Sequence, residues 1–312
     1  MAIDKQISEK RKRQCAKLVE LSKDVVRQAF DRFKQAELGI TWTGGKDSGL
    51  GLWIIRQVCQ EKKVPLPKAM IIGEGDEFEE IEAFVDRIKK EWQVPLEVCR
   101  NEDVLKAAKF TVGAPVKVKD LSARNRAELK RLEFDGAEFP FEAESYVGNH
   151  LMKTVVFNEF LERNRITGIF QGLRWDEHPA RFDDPYFEPK EAAHLIPAHT
   201  RIRPILHFTE KDLWDTYAAF AIPYCPLYER GYRSLGAKTT SLISAEGVPA
   251  WKQDLENTEE RAGRRQDKEK AMDRMRKLGY MYAECEAHGE FPSFIAVGHG
   301  PTRVTTTNEN SG

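Results

Sequence analysis

The feature that most constrains this chain is the hexapeptide Thr43-Gly44-Gly45-Lys46-Asp47-Ser48, which joins an apolar segment at 39–43 to a run carrying Leu50, Leu52, Ile54, Ile55 and Val58. The apolar segment reads as a short buried strand and the run after it as a helix. Glycines at such a turn let the backbone approach an anion with no Cβ in the way, and they tolerate positive φ. The first N–H groups of the following helix have no intrahelical partner, so they and the helix dipole favour a phosphate there. Lys46 would add a positive charge, and the hydroxyls of Thr43 and Ser48 can donate to phosphate oxygens. An ordinary strand-to-helix turn capped by Asp47 is the alternative. A Walker A loop is a poor fit, because it needs four residues between its first glycine and its Gly-Lys pair.

The pattern around this loop repeats. A second strand is expected at 69–72, a helix at 78–92, a strand at 94–98, a helix from about 146 to 163 and a strand at 168–171. Alternation of this kind predicts an α/β fold: a Rossmann-like parallel sheet with helices on both faces. Ahead of it, apolar positions at helical spacing from Cys15 to Phe33 predict a helix at 7–35 packed on the core. Residues 110–144 are polar and poorly periodic, which leaves a helical insertion and a mobile loop both open. The segment 183–199 reads as a long loop. Thr209 stands three residues before Asp212 and ahead of Leu213, Trp214 and Tyr217, so a capped helix is expected to start there. A charged surface helix is expected at 256–278 and a disordered, Thr- and Asn-rich tail at 301–312. The expected organisation is therefore an N-terminal helix (1–36), a nucleotide-binding α/β domain (37–230), a helical C-terminal anion-binding extension (231–300) and the tail.

Composition narrows the function classes. With 49 basic and 50 acidic residues, the net charge of -1 offers no general attraction for nucleic acid or anionic lipid, so an anion must be gripped locally. Nucleic acid and membrane are not expected partners. The apolar runs fall well short of the roughly 20 residues a spanning helix needs, and the charged N-terminus lacks a secretory core. Cys15, Cys59, Cys99, Cys225 and Cys285 form no Cys-x-x-Cys pair and the His residues no His-x-x-x-His pair. A structural metal site or an iron–sulfur cluster held by this chain is not expected, and free thiols in the cytoplasm are.

Several motifs in order carry a family resemblance. The loop at 43–48 resembles the Ser-Gly-Gly-x-Asp-Ser pyrophosphate loop (PP-loop) of the N-type ATP pyrophosphatases. Gly172-Leu173-Arg174, continuing through Asp176 and Glu177 to Arg181, is similar to a signature of the branch containing phosphoadenosine phosphosulfate reductase, the ATP sulfurylase small subunit and FAD synthetase. Arg203-Pro204-Ile205-Leu206 with the segment 208–214 looks like a further element of that branch. Gly231 to Gly236 with Thr239 and Thr240, and Glu260 to Arg264, resemble the C-terminal anion-binding region of the sulfonucleotide reductases.

The resemblance implies an enzyme of sulfur or adenylyl metabolism that binds ATP with Mg²⁺ and releases pyrophosphate. Lys46, Asp47 and Arg174 are then the expected catalytic residues, with Thr43, Gly44, Gly45, Ser48 and Gly172 completing the nucleotide site. Planar guanidinium groups suit phosphate and sulfate oxygens, so Arg181, Arg201, Arg203, Arg233, Arg261 and Arg264, with Thr239, are the expected anion or substrate contacts. Asp76, Glu77, Glu79 and Glu80 could hold a magnesium ion or a ribose, or could simply be solvated acids at a helix start; the metal ligands stay undetermined. A sulfate-like acceptor is expected, and a sulfurylase role would need a partner subunit.

The chain departs from the reductase pattern at its end. Glu284-Cys285 and His288 keep three positions of the reductases' nucleophile motif but not its Gly-Leu pair, and a glutamate beside the thiol disfavours the thiolate. Ala237 and Lys238 stand where cluster-bearing adenylylsulfate reductases are expected to have paired cysteines. Three readings follow: adenylyl transfer, thioredoxin-dependent reduction through Cys285 as nucleophile, and nucleotide binding without chemistry.

Overall fold

The computed structural model describes residues 3–143, 145–177, 181–192 and 196–260. The helix α1 (Glu9–Arg32) begins at Ser8, whose hydroxyl accepts from the Arg11 N–H at 3.2 Å. Then come β1 (Leu38–Thr41), α2 (Lys46–Lys62), β2 (Lys68–Ile72), α3 (Glu79–Trp92) and β3 (Leu96–Cys99), alternating as the sequence predicts. The chain continues through α4 (Glu102–Ala107), β4 (Pro115–Lys117), α5 (Ala123–Arg131) and β5 (Glu138–Pro140). The stretch expected as one helix is α6 (Tyr146–Asn149), a π-helical segment (His150–Val155) and α7 (Val156–Asn164). Finally β6 (Gly168–Phe170), β7 (Phe187–Lys190), β8 (His199–Ile202) and α8 (Glu210–Phe220) complete the core.

Six strands form the main sheet in the order β3-β2-β1-β6-β8-β7, all parallel except the antiparallel edge strand β7. Both faces are covered, and the pleat shows how. Ala69 and Ile71 of β2 join the cluster containing α1, α2, α3 and α8, whereas Met70 and Ile72 join the one built on Phe160 and Leu161 of α7. Phe170 and Ile169 of β6 divide the same way, the period-2 alternation that a strand between two helical layers imposes. Helix α1 belongs to the main core through Val19, Val25, Val26 and Ala29. Lys5 and Arg11 fasten the N-terminal segment to α8, each 2.6 Å from the Asp215 carboxylate.

Residues 110–144, left open between insertion and loop, are an ordered insertion. β4 and β5 pair antiparallel, α5 lies between them, and Val116, Leu129, Phe139, Phe141 and Leu151 bury one another in a separate small core. Asn101 and Asn125 exchange side-chain hydrogen bonds at 2.9 and 3.0 Å and tie α4 to α5. The segment 183–199 is a correction. It carries β7, which pairs with β8 in the register Phe187↔Ile202 to Lys190↔His199. A strand bearing Pro189 and charged neighbours is tolerated only at an edge, which is where it lies. The charged helix expected from 256 does not begin there; residues 255–257 form a turn in which the Asp254 carboxylate accepts from the Asn257 N–H at 3.1 Å. The remainder of that helix, the tail, Arg261, Arg264 and Cys285 lie outside the described residues.

Candidate active site

In the strand order, β1 has β2 on one side and β6 on the other, so the crevice past the carboxyl ends of β1 and β6 is a topological switch point, where open α/β sheets bind ligands. A cavity of about 210 Å³ opens there, lined among others by Thr41, Thr43, Gly45, Lys46, Gln171, Gly172, Tyr228 and Glu260. The glycine loop forms its floor. Gly44 has φ +76°, and a Cβ on it would meet Val85 at 2.8 Å, so both conformation and space demand glycine. Gly45 is the N-cap of α2. Gly172 backs directly onto the loop, since a Cβ there would lie 2.6 Å from the Ser48 Cα and N.

The loop hydroxyls brace the loop. The Thr43 N–H donates to Ser48 Oγ at 3.1 Å, the two hydroxyls are 3.0 Å apart, and Ser48 Oγ donates to the Gly45 carbonyl at 3.2 Å. The expectation that the first helical N–H groups all face an anion needs one correction: the Lys46 N–H donates to the Tyr228 hydroxyl at 2.8 Å. Tyr217 donates to the Lys46 carbonyl at 2.6 Å. Two tyrosines from the C-terminal part thus fix the loop's lysine.

Lys46 is 2% exposed and Arg174 fully buried, an arrangement stable only with paired counter-charge. Lys46 Nζ donates to Glu260 Oε1 at 2.5 Å and to the Arg233 carbonyl at 3.0 Å, with Asp47 Oδ2 at 3.3 Å. Arg174 donates from Nη1 to Asp47, from Nη2 to Glu260 and from Nε to Asp176 at 2.9 Å. Asp176 in turn accepts from the Glu210 N–H at 2.7 Å, locking the guanidinium to the start of α8. Burial opposes the charge on Lys46, but Asp47, Glu260 and Glu210 overcome it and hold the ammonium protonated above its ordinary range. Burial would likewise raise the Glu260 carboxyl, yet Arg174 and Lys46 hold it far below the usual carboxylate range. Asp47 and Glu210 are pushed up by burial despite Arg174 and Lys46.

The structure brings Thr43, Gly44, Gly45, Lys46, Asp47, Ser48, Gly172 and Arg174 together. The other expected anion contacts among the described residues are engaged by groups of the protein itself. Arg181 pairs with Glu177 at the cavity's edge. Arg201 and Arg203 both reach Glu188 on β7, and Arg203 also donates to the Pro185 carbonyl at 3.1 Å, so they knit the sheet edge together. Arg233 donates to Glu210 Oε2 at 2.8 Å from Nε and to the Thr258 carbonyl at 3.0 Å from Nη2. Thr239 donates to Asp76, and Glu80 pairs with Arg230. Asp76 and Glu80 are therefore spent on stitching the C-terminal part to the β2–α3 connection and to α3. Glu260, Glu210 and Asp176 stand inside motifs legible in the sequence but carry no expected site role there, and neither Tyr217 nor Tyr228 is expected at the site.

Fold and site together define a doubly wound α/β protein with a cavity lined by buried ion pairs at its switch point. The family model of the phosphoadenosine phosphosulfate reductase domain matches residues 37–242, and the chain belongs to that family. It is 25% identical over 218 residues to sulfate adenylyltransferase subunit 2 of Azospirillum brasilense, covering 64% of this chain and 62% of that protein. It is 23% identical over 258 residues to a probable FAD synthase of Caenorhabditis elegans, covering 78% of this chain but 39% of that protein. The chain thus spans less than two thirds of the length of these relatives. Among solved structures, FMN adenylyltransferase of Candida glabrata superposes with a TM-score of 0.59 at 16% identity, covering 84% of this chain and 91% of the other, which establishes a common fold. Among the described residues, no helix is long and apolar enough to cross a membrane.

Proposed function

We propose that the chain is an ATP-dependent adenylyltransferase in which the loop at 43–48 cradles the leaving pyrophosphate. The observation that carries this reading is the convergence, beside the start of α2, of two buried cations, Lys46 and Arg174, on the two oxygens of one carboxylate, that of Glu260. A site that binds a carboxylate this way has the charge and geometry to bind phosphoryl oxygens. In the reaction an acceptor oxygen forms a bond to the α-phosphorus of ATP, the bond from that phosphorus to the bridging oxygen breaks, and pyrophosphate leaves with both electrons. A sulfate or phosphate acceptor oxygen is already ionised, so no proton has to leave it. The protein supplies positioning and charge stabilisation, and each such donor is worth roughly 10²–10³ in rate.

Magnesium fits as a nucleotide-borne ion. Among the described residues no group of three or more His, Cys, Asp or Glu side chains is placed to hold a metal. Magnesium needs only one or two carboxylates beside substrate phosphates, and Asp47 and Glu177 line the cavity. Bound there, it would neutralise charge on the leaving pyrophosphate. The relatives' names supply two acceptors to try: sulfate, and FMN.

The competing thiol reading rests on Cys285, which lies outside the described residues, and the other four cysteines are not candidates for it. Cys15, Cys59, Cys99 and Cys225 are buried away from the cavity, and burial pushes the last three thiols up to about 12, 12 and 11. The deciding assay is pyrophosphate release from ATP and Mg²⁺ by the purified chain, with sulfate, with FMN and with neither. Acceptor-dependent release that falls at least ~100-fold in Lys46→Ala is expected. Sulfite release from phosphoadenosine phosphosulfate with thioredoxin, lost in Cys285→Ser, would overturn the proposal in favour of the reductase. ATP binding without pyrophosphate would leave a binding subunit.

A further inference from the structure

We infer that the Glu260 carboxylate is an internal anion seated in the phosphate cradle, and that a nucleotide must displace it to bind. This rests on the nucleotide reading above and adds to it a built-in competitor. Both oxygens of Glu260 are used, Oε1 by Lys46 and Oε2 by Arg174. The Lys46 ammonium has three donors, and Glu260, the Arg233 carbonyl and Asp47 at 3.3 Å account for all of them. A phosphate oxygen can reach that nitrogen only by taking a place already filled, and Glu260 is the partner that can leave. The Arg233 carbonyl belongs to a residue clamped by Glu210, and Asp47 belongs to the loop itself.

Charge makes the two occupants exclusive. Asp47, Asp176, Glu177, Glu210 and Glu260 face Lys46, Arg174, Arg181 and Arg233, so the site already carries more carboxylates than cations. Adding a polyphosphate beside an ionised Glu260 would place like charges in contact in a buried site, which is strongly unfavourable. With Glu260 withdrawn, the remaining four carboxylates and four cations balance, and the cradle can take the phosphates.

The part that moves is also defined. Glu260 follows the turn closed by Asp254 and Asn257, and this turn hangs on Arg233, which donates to the Thr258 carbonyl at 3.0 Å and to the Thr258 hydroxyl. Arg233 was expected to meet substrate, but here it positions the residue that does the excluding.

The test is calorimetric titration of the full chain with ATP and with inorganic pyrophosphate, for the wild type, Glu260→Gln and Glu260→Asp. Removing the charge in Glu260→Gln is expected to tighten both ligands at least tenfold while lowering the Tm of the ligand-free protein, because two buried cations lose their counter-ion. Glu260→Asp keeps the charge but shortens the reach, and serves if the glutamine variant does not fold; it is expected to tighten binding by a smaller factor. Unchanged or weaker binding in a folded variant, with ATP bound by the wild type, would overturn the displacement while leaving the nucleotide reading intact. No binding of ATP or pyrophosphate by any of the three would overturn the nucleotide reading, and this inference with it.

Discussion

A single methyl group at position 172 offers a measure of how tightly the loop is built. In Gly172→Ala the new Cβ would stand 2.6 Å from both the Cα and the N of Ser48 and 2.7 Å from the carbonyl carbon of Asp47. Optimal carbon contacts lie at about 3.5–4.0 Å, so the shortfall is close to 0.9 Å. All three atoms are backbone at the first turn of α2, so no side chain can swing aside. Overpacking of this kind costs about 1–3 kcal/mol, and displacing catalytic groups by about 1 Å costs on the order of 100-fold in rate. A thermal melt should show a loss of roughly 2–12 °C, at about 2–4 °C per kcal/mol for a large domain. Pyrophosphate release should fall by about two orders of magnitude. The control is one turn further along α2: Gly51→Ala would meet nothing nearer than the Gly172 Cα at 3.9 Å. It removes a glycine from a helix interior, so it should stabilise by about 0.5–1 kcal/mol. If Gly172→Ala melts and turns over like the parent, the loop is not held by that contact and the reasoning fails.

Three further outcomes follow from local chemistry. Tyr228→Phe removes the hydroxyl that accepts from the Lys46 N–H and leaves a buried donor unpaired; urea unfolding should record a loss of about 1–3 kcal/mol. Thr209→Ala breaks a capping box in which Thr209 and Asp212 satisfy each other's backbone, and should cost about 1 kcal/mol by the same measurement. Burial depresses His199 from 6.5 to about 4 and depresses His207 as well. Between those values the unfolded chain binds more protons than the folded one. Stability is therefore expected to fall as pH drops below about 6.5, by up to about 3 kcal/mol for His199 at full protonation, with a shallower slope in His199→Gln. A flat profile between pH 6.5 and 5 would count against it.

What the sequence disclosed tracks the range of the interactions involved. The glycine loop, its strand and its helix are fixed by neighbours in the chain, and so is the box of Thr209 and Asp212; both were legible. The β7–β8 pairing was not, because Pro189 and the charges around it look like a loop until Ile202 and His199 are placed opposite. The insertion at 110–144 hides its periodicity in elements of three to nine residues. Arginines are the sharpest case. A guanidinium after a strand looks the same whether it meets phosphate or a carboxylate, and only the fold shows Arg203 spent on Glu188 and Arg174 turned toward Asp47. Glu260 heads the motif at 260–264, but nothing local there shows that its carboxylate meets Lys46, 214 positions away.

The insertion's private core bears on how the molecule comes apart. Its buried residues, from Val104 and Leu105 through Phe139 to Val155, form a cluster distinct from the one that holds α1, α2, α3 and α8. Cooperative opening follows such boundaries. Amide hydrogens of α5 and of the β4–β5 pair are therefore set to exchange as a unit, at a lower free energy than those of β1, β2 and β6. Proteolysis near the denaturation threshold would then nick the insertion while the sheet and its glycine loop stay closed.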